Sequence, residues 1–162
     1  IVGEGPARPT LERQVREMGL QDHVSFTGQV DNDQVCHYYQ MADVFVSASD
    51  SETQGLTYDE ALASDLPIVV MRSEYTDELI DDPAIGRSFQ KRTDLVDGVL
   101  EYLATPPSPE AIAKRREKLH DISAEVFGQR VLDFYRVCQE EVAEKKRPGF
   151  GRRFRHLRDQ ND

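Results

Sequence analysis

The sequence predicts an α/β protein, a Rossmann-like doubly wound parallel sheet with helices on both faces and extra helices at its C-terminal end. Two observations carry this. Short β-branched runs alternate with amphipathic helical stretches from Ile1 to Leu103, the pattern of a parallel sheet covered by crossover helices. Beyond the break Thr105-Pro106-Pro107-Ser108-Pro109 the alternation stops and only helical periodicity remains. A chain of 162 residues is long enough for one such domain with a real core.

The expected strands, in order, are Ile1-Val2, Val24 to Thr27, Val44 to Ser47, Ile68 to Met71 and Gly86 to Phe89. Between the first two, Pro9 suits a first helical turn, Leu11, Val15 and Met18 share a face, and Gly19 stops the pattern. Asp31 or Asp33 is placed to cap a second helix carrying Val35, Tyr38, Tyr39 and Ala42. A third helix spans about Thr57 to Ser64 and is closed by Asp65-Leu66-Pro67. Thr93 is expected to cap a fourth, with Leu95, Val96, Val99, Leu100 and Leu103 on its apolar side. Past the proline break, Val131, Phe134, Tyr135, Cys138 and Val142 form one stripe, which core packing explains best.

Composition narrows the function. Hydrophobic residues make up 38% and charged residues 31%, as in soluble globular chains. No apolar run reaches spanning length. Cys36 and Cys138 lack C-x-x-C spacing and read as buried free thiols in a reducing compartment, so a cytoplasmic location is expected. His23, His37, His120 and His156 are scattered without ligand spacing, and no metal site is expected. The net charge of -10 is uneven, because residues 144–162 hold seven basic and three acidic side chains and leave an acidic body. Such a body excludes a nucleic-acid surface, which needs clustered Lys and Arg.

The segment from Ser49 to Val70 carries the chemistry. It leaves a strand, crosses a loop, enters a helix and ends in the next strand, at the strand carboxyl ends where open parallel sheets bind ligands. Gly55 permits close backbone approach, and the helix start at Leu56 and Thr57 offers free amides and a positive dipole end to a diphosphate. Glu52 in the loop and Glu60 in the helix can address two parts of one elongated ligand, and carboxylates accept well from paired sugar hydroxyls. Spacing alone is weak, since solvated helix charges look the same.

The whole segment resembles the E-x7-E motif of the retaining family 4 glycosyltransferases, with Glu52 and Glu60 as its acids. Ile1-Val2-Gly3-Glu4-Gly5-Pro6 is similar to that family's strand and G-x-G-P turn. Val24-Ser25-Phe26-Thr27-Gly28-Gln29-Val30 is similar to its V-x-F-x-G-x-V strand, and Tyr38 to Val46 to its helix-to-strand passage. The resemblance implies the C-terminal, donor-binding half of a GT-B fold, with residues 1–143 as a nucleotide-sugar domain truncated at its start and 144–162 as a basic tail. It implies that Glu60 binds the ribose, that Glu52, with catalytic standing, and the backbone at Gln54 and Gly55 bind the donor sugar, and that Leu56 and Thr57 face the diphosphate. Val30 would lie against the base, and Gly3 belongs to the donor site through its turn. The donor implied is UDP-glucose, with no metal or further cofactor, and transfer with retention goes to a lipid or glycan acceptor. Stabilising the departing diphosphate is then the main catalytic demand.

Two departures stand out: Thr53-Gln54 replaces the family's usual Gly-Phe, and Asp65 stands where a glycine is usual. Glu52 to Tyr58 most resembles the Gram-positive enzymes that glucosylate diacylglycerol. The family's diphosphate-neutralising Arg and Lys, and its acceptor domain, would precede Ile1, so residues 1–162 alone are expected to be inactive.

Other features have plainer readings. Gly3-x-Gly5-Pro6 lacks the third glycine of a dinucleotide fingerprint, and Asp31-Asn32-Asp33 looks like a D-x-D metal motif but stands at a helix start. Residues 145–158 are basic with Phe150, Phe154 and Leu157 at helical spacing, which fits a peripheral helix on an anionic inner membrane face. A disordered basic end and a segment packing on a missing domain are together slightly favoured over it. Two rival functions remain, a non-catalytic partner of an active glycosyltransferase and an unrelated flavodoxin-like binding domain.

Overall fold

The computed structural model describes residues 1–50 and 55–145. The chain divides into two units, Ile1–Leu119 and His120–Asp162. The first contains helices α1 (Arg8–Glu17) and α2 (Asn32–Gln40), strand β1 (Phe45–Ser47), helix α3 (Leu56–Ala63), strand β2 (Ile68–Met71), helix α4 (Glu74–Leu79), strand β3 (Gly86–Phe89), helix α5 (Arg92–Ala104) and most of α6 (Pro109–Asp121). The second contains α7 (Ala124–Lys145).

The three strands form one parallel sheet in the order β1-β2-β3, with Phe45 opposite Ile68 and Ile68 opposite Gly86. Parallel neighbours need crossover helices, and α3 and α4 supply them. The central strand is apolar at every position because both its faces are covered. Ile68 and Val70 join Tyr58, Ala61 and Leu62 of α3 with Leu66, Leu79 and Ile85 in the buried core. Val69 faces the other way: a β-carbon added to Gly98 of α5 would sit 3.3 Å from its Cγ1, so the missing side chain lets α5 pack close. Helices on both faces make the doubly wound arrangement expected from the alternation.

Local chemistry accounts for most element ends. Pro9 falls in the first turn of α1 and Gly19, at φ +69°, ends it, although the apolar side of this helix stays largely open. Asp31 takes the N-cap position of α2 through its backbone alone, without a side-chain bond. Helix α4 was not expected; Ser73 and Thr76 build it as a reciprocal cap, with the Thr76 amide donating to Ser73 Oγ at 3.2 Å and the Ser73 amide to Thr76 Oγ1 at 2.7 Å.

Four expectations need correction. Ile1-Val2 and Val24 to Thr27 are not strands: Ile1 donates to Ser25 O, the Thr27 amide donates to Ile1 O, and Gly3 bridges Gly28, but a two-residue run is too short to build a ladder. Thr93 does not cap α5; the N-cap position falls two residues earlier, at Lys91, and Asp94 accepts from the Lys91 amide at 3.3 Å. Cys36 is exposed rather than buried, and Cys138 is half-buried. The stripe on α7 is not core, since Phe134 is 66% and Tyr135 61% exposed, with Val142 and Phe127 also open to solvent. Periodicity reveals that a helix has an apolar side, but not whether anything covers it.

Candidate functional site

The site grows from the carboxyl end of β1. Strand β1 ends at Ser47, and Gly55 caps α3 in the left-handed conformation at φ +64° and ψ +21°. Its carbonyl accepts from the amides of Tyr58 at 2.7 Å and Asp59 at 3.0 Å, closing the first turn. Two constraints select glycine here: the positive φ, and the ring of Tyr75 from α4, into which any β-carbon would run. The amides of Leu56 and Thr57 follow, in the first turn where a helix provides no internal acceptor. Both residues are exposed, at the positive end of the helix dipole.

Glu60 stands on the same helix, one turn further on and exposed. Its Oε2 accepts a hydrogen bond from the Tyr39 hydroxyl of α2 at 2.9 Å. Burial, then the bond to Glu60 and its charge, hold the Tyr39 phenol protonated well above its ordinary range. The ring of Tyr39 lies 5.8 Å from Phe45, and the line continues through Tyr58, 6.0 Å from Phe45, to Tyr75, 6.2 Å beyond. Beside Glu60, the Asp59 carboxyl is pushed above the usual carboxylate range, first by burial and then by the neighbouring charge. Its Oδ1 is buried without a hydrogen-bond partner among the described residues.

Gly55, Leu56, Thr57 and Glu60 are thus gathered on one helix start. Gly3 and Val30 belong to a different segment: Gly3, at φ +119°, bonds to Gly28, and half-buried Val30 leads into α2, the helix whose Tyr39 reaches Glu60. Glu52 and Gln54 lie outside the described residues, as does the basic tail beyond Lys145. Among the described residues no group of three or more His, Cys, Asp and Glu could hold a metal ion. The chemistry this arrangement offers is amide donors for an anion and, a turn away, a carboxylate held by a fixed donor.

Residues 1–119, the first unit as divided above, match the family described as Glycosyl transferases group 1. The chain belongs to that family. It is 43% identical over 136 residues to the alpha-monoglucosyldiacylglycerol synthase of Streptococcus pneumoniae, covering 83% of this chain and 30% of the relative. It is 38% identical over 117 residues to the enzyme of the same name from Acholeplasma laidlawii, covering 72% and 29%. The chain therefore spans about 30% of the length of these relatives. Among solved structures, sucrose-phosphate synthase from Thermosynechococcus elongatus superimposes with a TM-score of 0.69 at 26% identity over 86% of this chain and 38% of that one. The fold is that of the C-terminal half of a GT-B glycosyltransferase, and an unrelated flavodoxin-like domain is set aside.

Within this group 1 domain, three residues escape a reading by spacing. Tyr39 looks like part of an apolar stripe, although a phenol on such a stripe needs a polar partner and that need is the available signal. Tyr75 sits on the unexpected α4, and Asp59 is masked by Glu60 next to it. Asp65, where the family favours glycine, adopts φ +61°. Its carboxylate receives two hydrogen bonds from Arg116, at 2.7 and 3.0 Å, which a glycine could not accept.

Proposed function

We propose that this chain is the donor-binding domain of a retaining glycosyltransferase that moves glucose from UDP-glucose to a membrane lipid or a growing glycan. The observation that carries the reading is the pairing on α3 of an exposed helix start, at Leu56 and Thr57, with the carboxylate of Glu60. A nucleoside diphosphate sugar presents a doubly charged bridge flanked by hydroxylated rings, so it needs amide donors and a carboxylate at a short separation. Glu60 would take the ribose hydroxyls and the Leu56 and Thr57 amides the diphosphate, while Val30 meets the base. Gly55, with the flanking Glu52 and Gln54, would hold the sugar. Helix amides serve catalysis as well as binding, because negative charge grows on the diphosphate as the glycosidic bond breaks. Two relatives named as glucosyldiacylglycerol synthases support glucose and a lipid acceptor.

Calorimetric titration of the full chain with UDP-glucose, UDP and GDP-mannose tests the proposal. UDP-glucose is expected to bind and GDP-mannose to bind more weakly, and Glu60→Ala to weaken UDP-glucose by about tenfold or more, the usual consequence of losing a hydrogen bond to a charged group. Equal affinity of the two nucleotide sugars, or of the two proteins for UDP-glucose, refutes it.

A further inference from the structure

We propose that Tyr39 is a positioning residue for nucleotide recognition, fixing the Glu60 carboxylate so that it reads a ribose and rejects sugars without its vicinal hydroxyls. The inference rests on the reading of Glu60 given above and adds the group that makes its selectivity possible. Glu60 is exposed, and a glutamate on a helix surface samples many rotamers. An acceptor that wanders selects poorly, because the ordering it undergoes on binding offsets part of each hydrogen bond.

Tyr39 removes that freedom. Its hydroxyl donates to Glu60 Oε2 at 2.9 Å from a helix 21 residues earlier in the chain. The phenol ring is itself anchored, 5.8 Å from Phe45 and packed against the buried core that contains Ile68 and Val70. Tyrosine has few rotatable bonds, so the anchored ring delivers its donor to one place. A carboxylate offers about four lone-pair sites. With one committed to Tyr39, all of Oε1 and the outer side of Oε2 remain, two adjacent acceptors suited to two neighbouring hydroxyls. The phenol also stays a donor, since burial and the adjacent carboxylate both oppose its ionisation.

The test compares UDP with 2′,3′-dideoxy-UDP by calorimetry, on the full chain and its Tyr39→Phe, Glu60→Ala and doubly substituted forms. Phenylalanine keeps the ring on Phe45, and thermal melts establish that each variant is folded. The wild type is expected to prefer UDP, and Tyr39→Phe to lower that preference about fivefold, as for one lost hydrogen bond, while leaving dideoxy-UDP affinity unchanged. Adding Tyr39→Phe to Glu60→Ala is expected to change nothing further. If the wild type prefers UDP but Tyr39→Phe retains the preference, or weakens both ligands alike, Tyr39 does not position Glu60. If the wild type binds both ligands equally, the assignment of Glu60 to the ribose fails, and this inference with it.

Discussion

Buried carboxylate oxygens normally find a donor, and Asp59 Oδ1 has none among the described residues. Burial and the charge of Glu60 raise its folded-state pKa, so folding favours the protonated form. Such a group supports the fold below the unfolded carboxyl value of about 3.9 and withdraws that support as pH rises through the higher folded value. At neutral pH Asp59 is therefore a source of instability beside the site. Asp59→Asn is expected to melt higher than the wild type at pH 7, with the difference shrinking as the pH is lowered towards 4. A gap in melting temperature that stays constant between pH 4 and pH 7 would mean that ionisation of Asp59 is not its origin. The same residue shows why sequence reading stops short at this scale: Asp59 and Glu60 are adjacent letters, but only packing makes one an orphan and the other a partner of Tyr39.

Among elements, α6 is fastened to the sheet by its consecutive cations. Arg115, 2% exposed, donates through Nε to Ala84 O and through Nη1 to Asp65 O, both at 2.8 Å, tying together the turns that lead into β2 and β3. Arg116 holds the Asp65 carboxylate, but at the surface. The buried residue should dominate, because removing it strands two carbonyls whereas an exposed pair gains little. Arg115→Met is expected to cost about 2 kcal/mol in urea unfolding and Arg116→Met less than about 1 kcal/mol. The reverse order would overturn this account of the clamp. Strand β2 was legible in Ile68 to Met71, because an apolar run after a proline has few alternatives, and β3 at Gly86 to Phe89 through the alternation of strands with helices rather than through an apolar run. Helix α4 was not, since its six residues are too few for a periodic signal and its cap uses Thr76 in place of the glutamate that usually marks one. The pairing of α2 with α3 through Tyr39 and Glu60 was equally hidden, being a product of tertiary packing across 21 residues.

At the scale of the whole molecule, the order of motifs from Gly3 to Pro67 was enough to place the chain among the group 1 glycosyltransferases, because glycine, acids, helix and strand recur in one sequence. The site on α3 was legible to the extent that Gly55, Leu56, Thr57 and Glu60 are consecutive or nearly so. The fate of α7 was not, because periodicity cannot say what a helix touches. Among the described residues that helix carries exposed Phe127, Phe134, Tyr135 and Val142 on one side, in a chain whose net charge is -10. Its colloidal behaviour follows from the balance between them. Like charge keeps molecules apart at low ionic strength, and roughly 0.15 M salt shortens that repulsion to about 8 Å, leaving adhesive aromatic seams free to meet. Static light scattering should find a second virial coefficient that turns from positive to negative as salt is added, and replacing Phe127 and Phe134 with glutamate should keep it positive throughout.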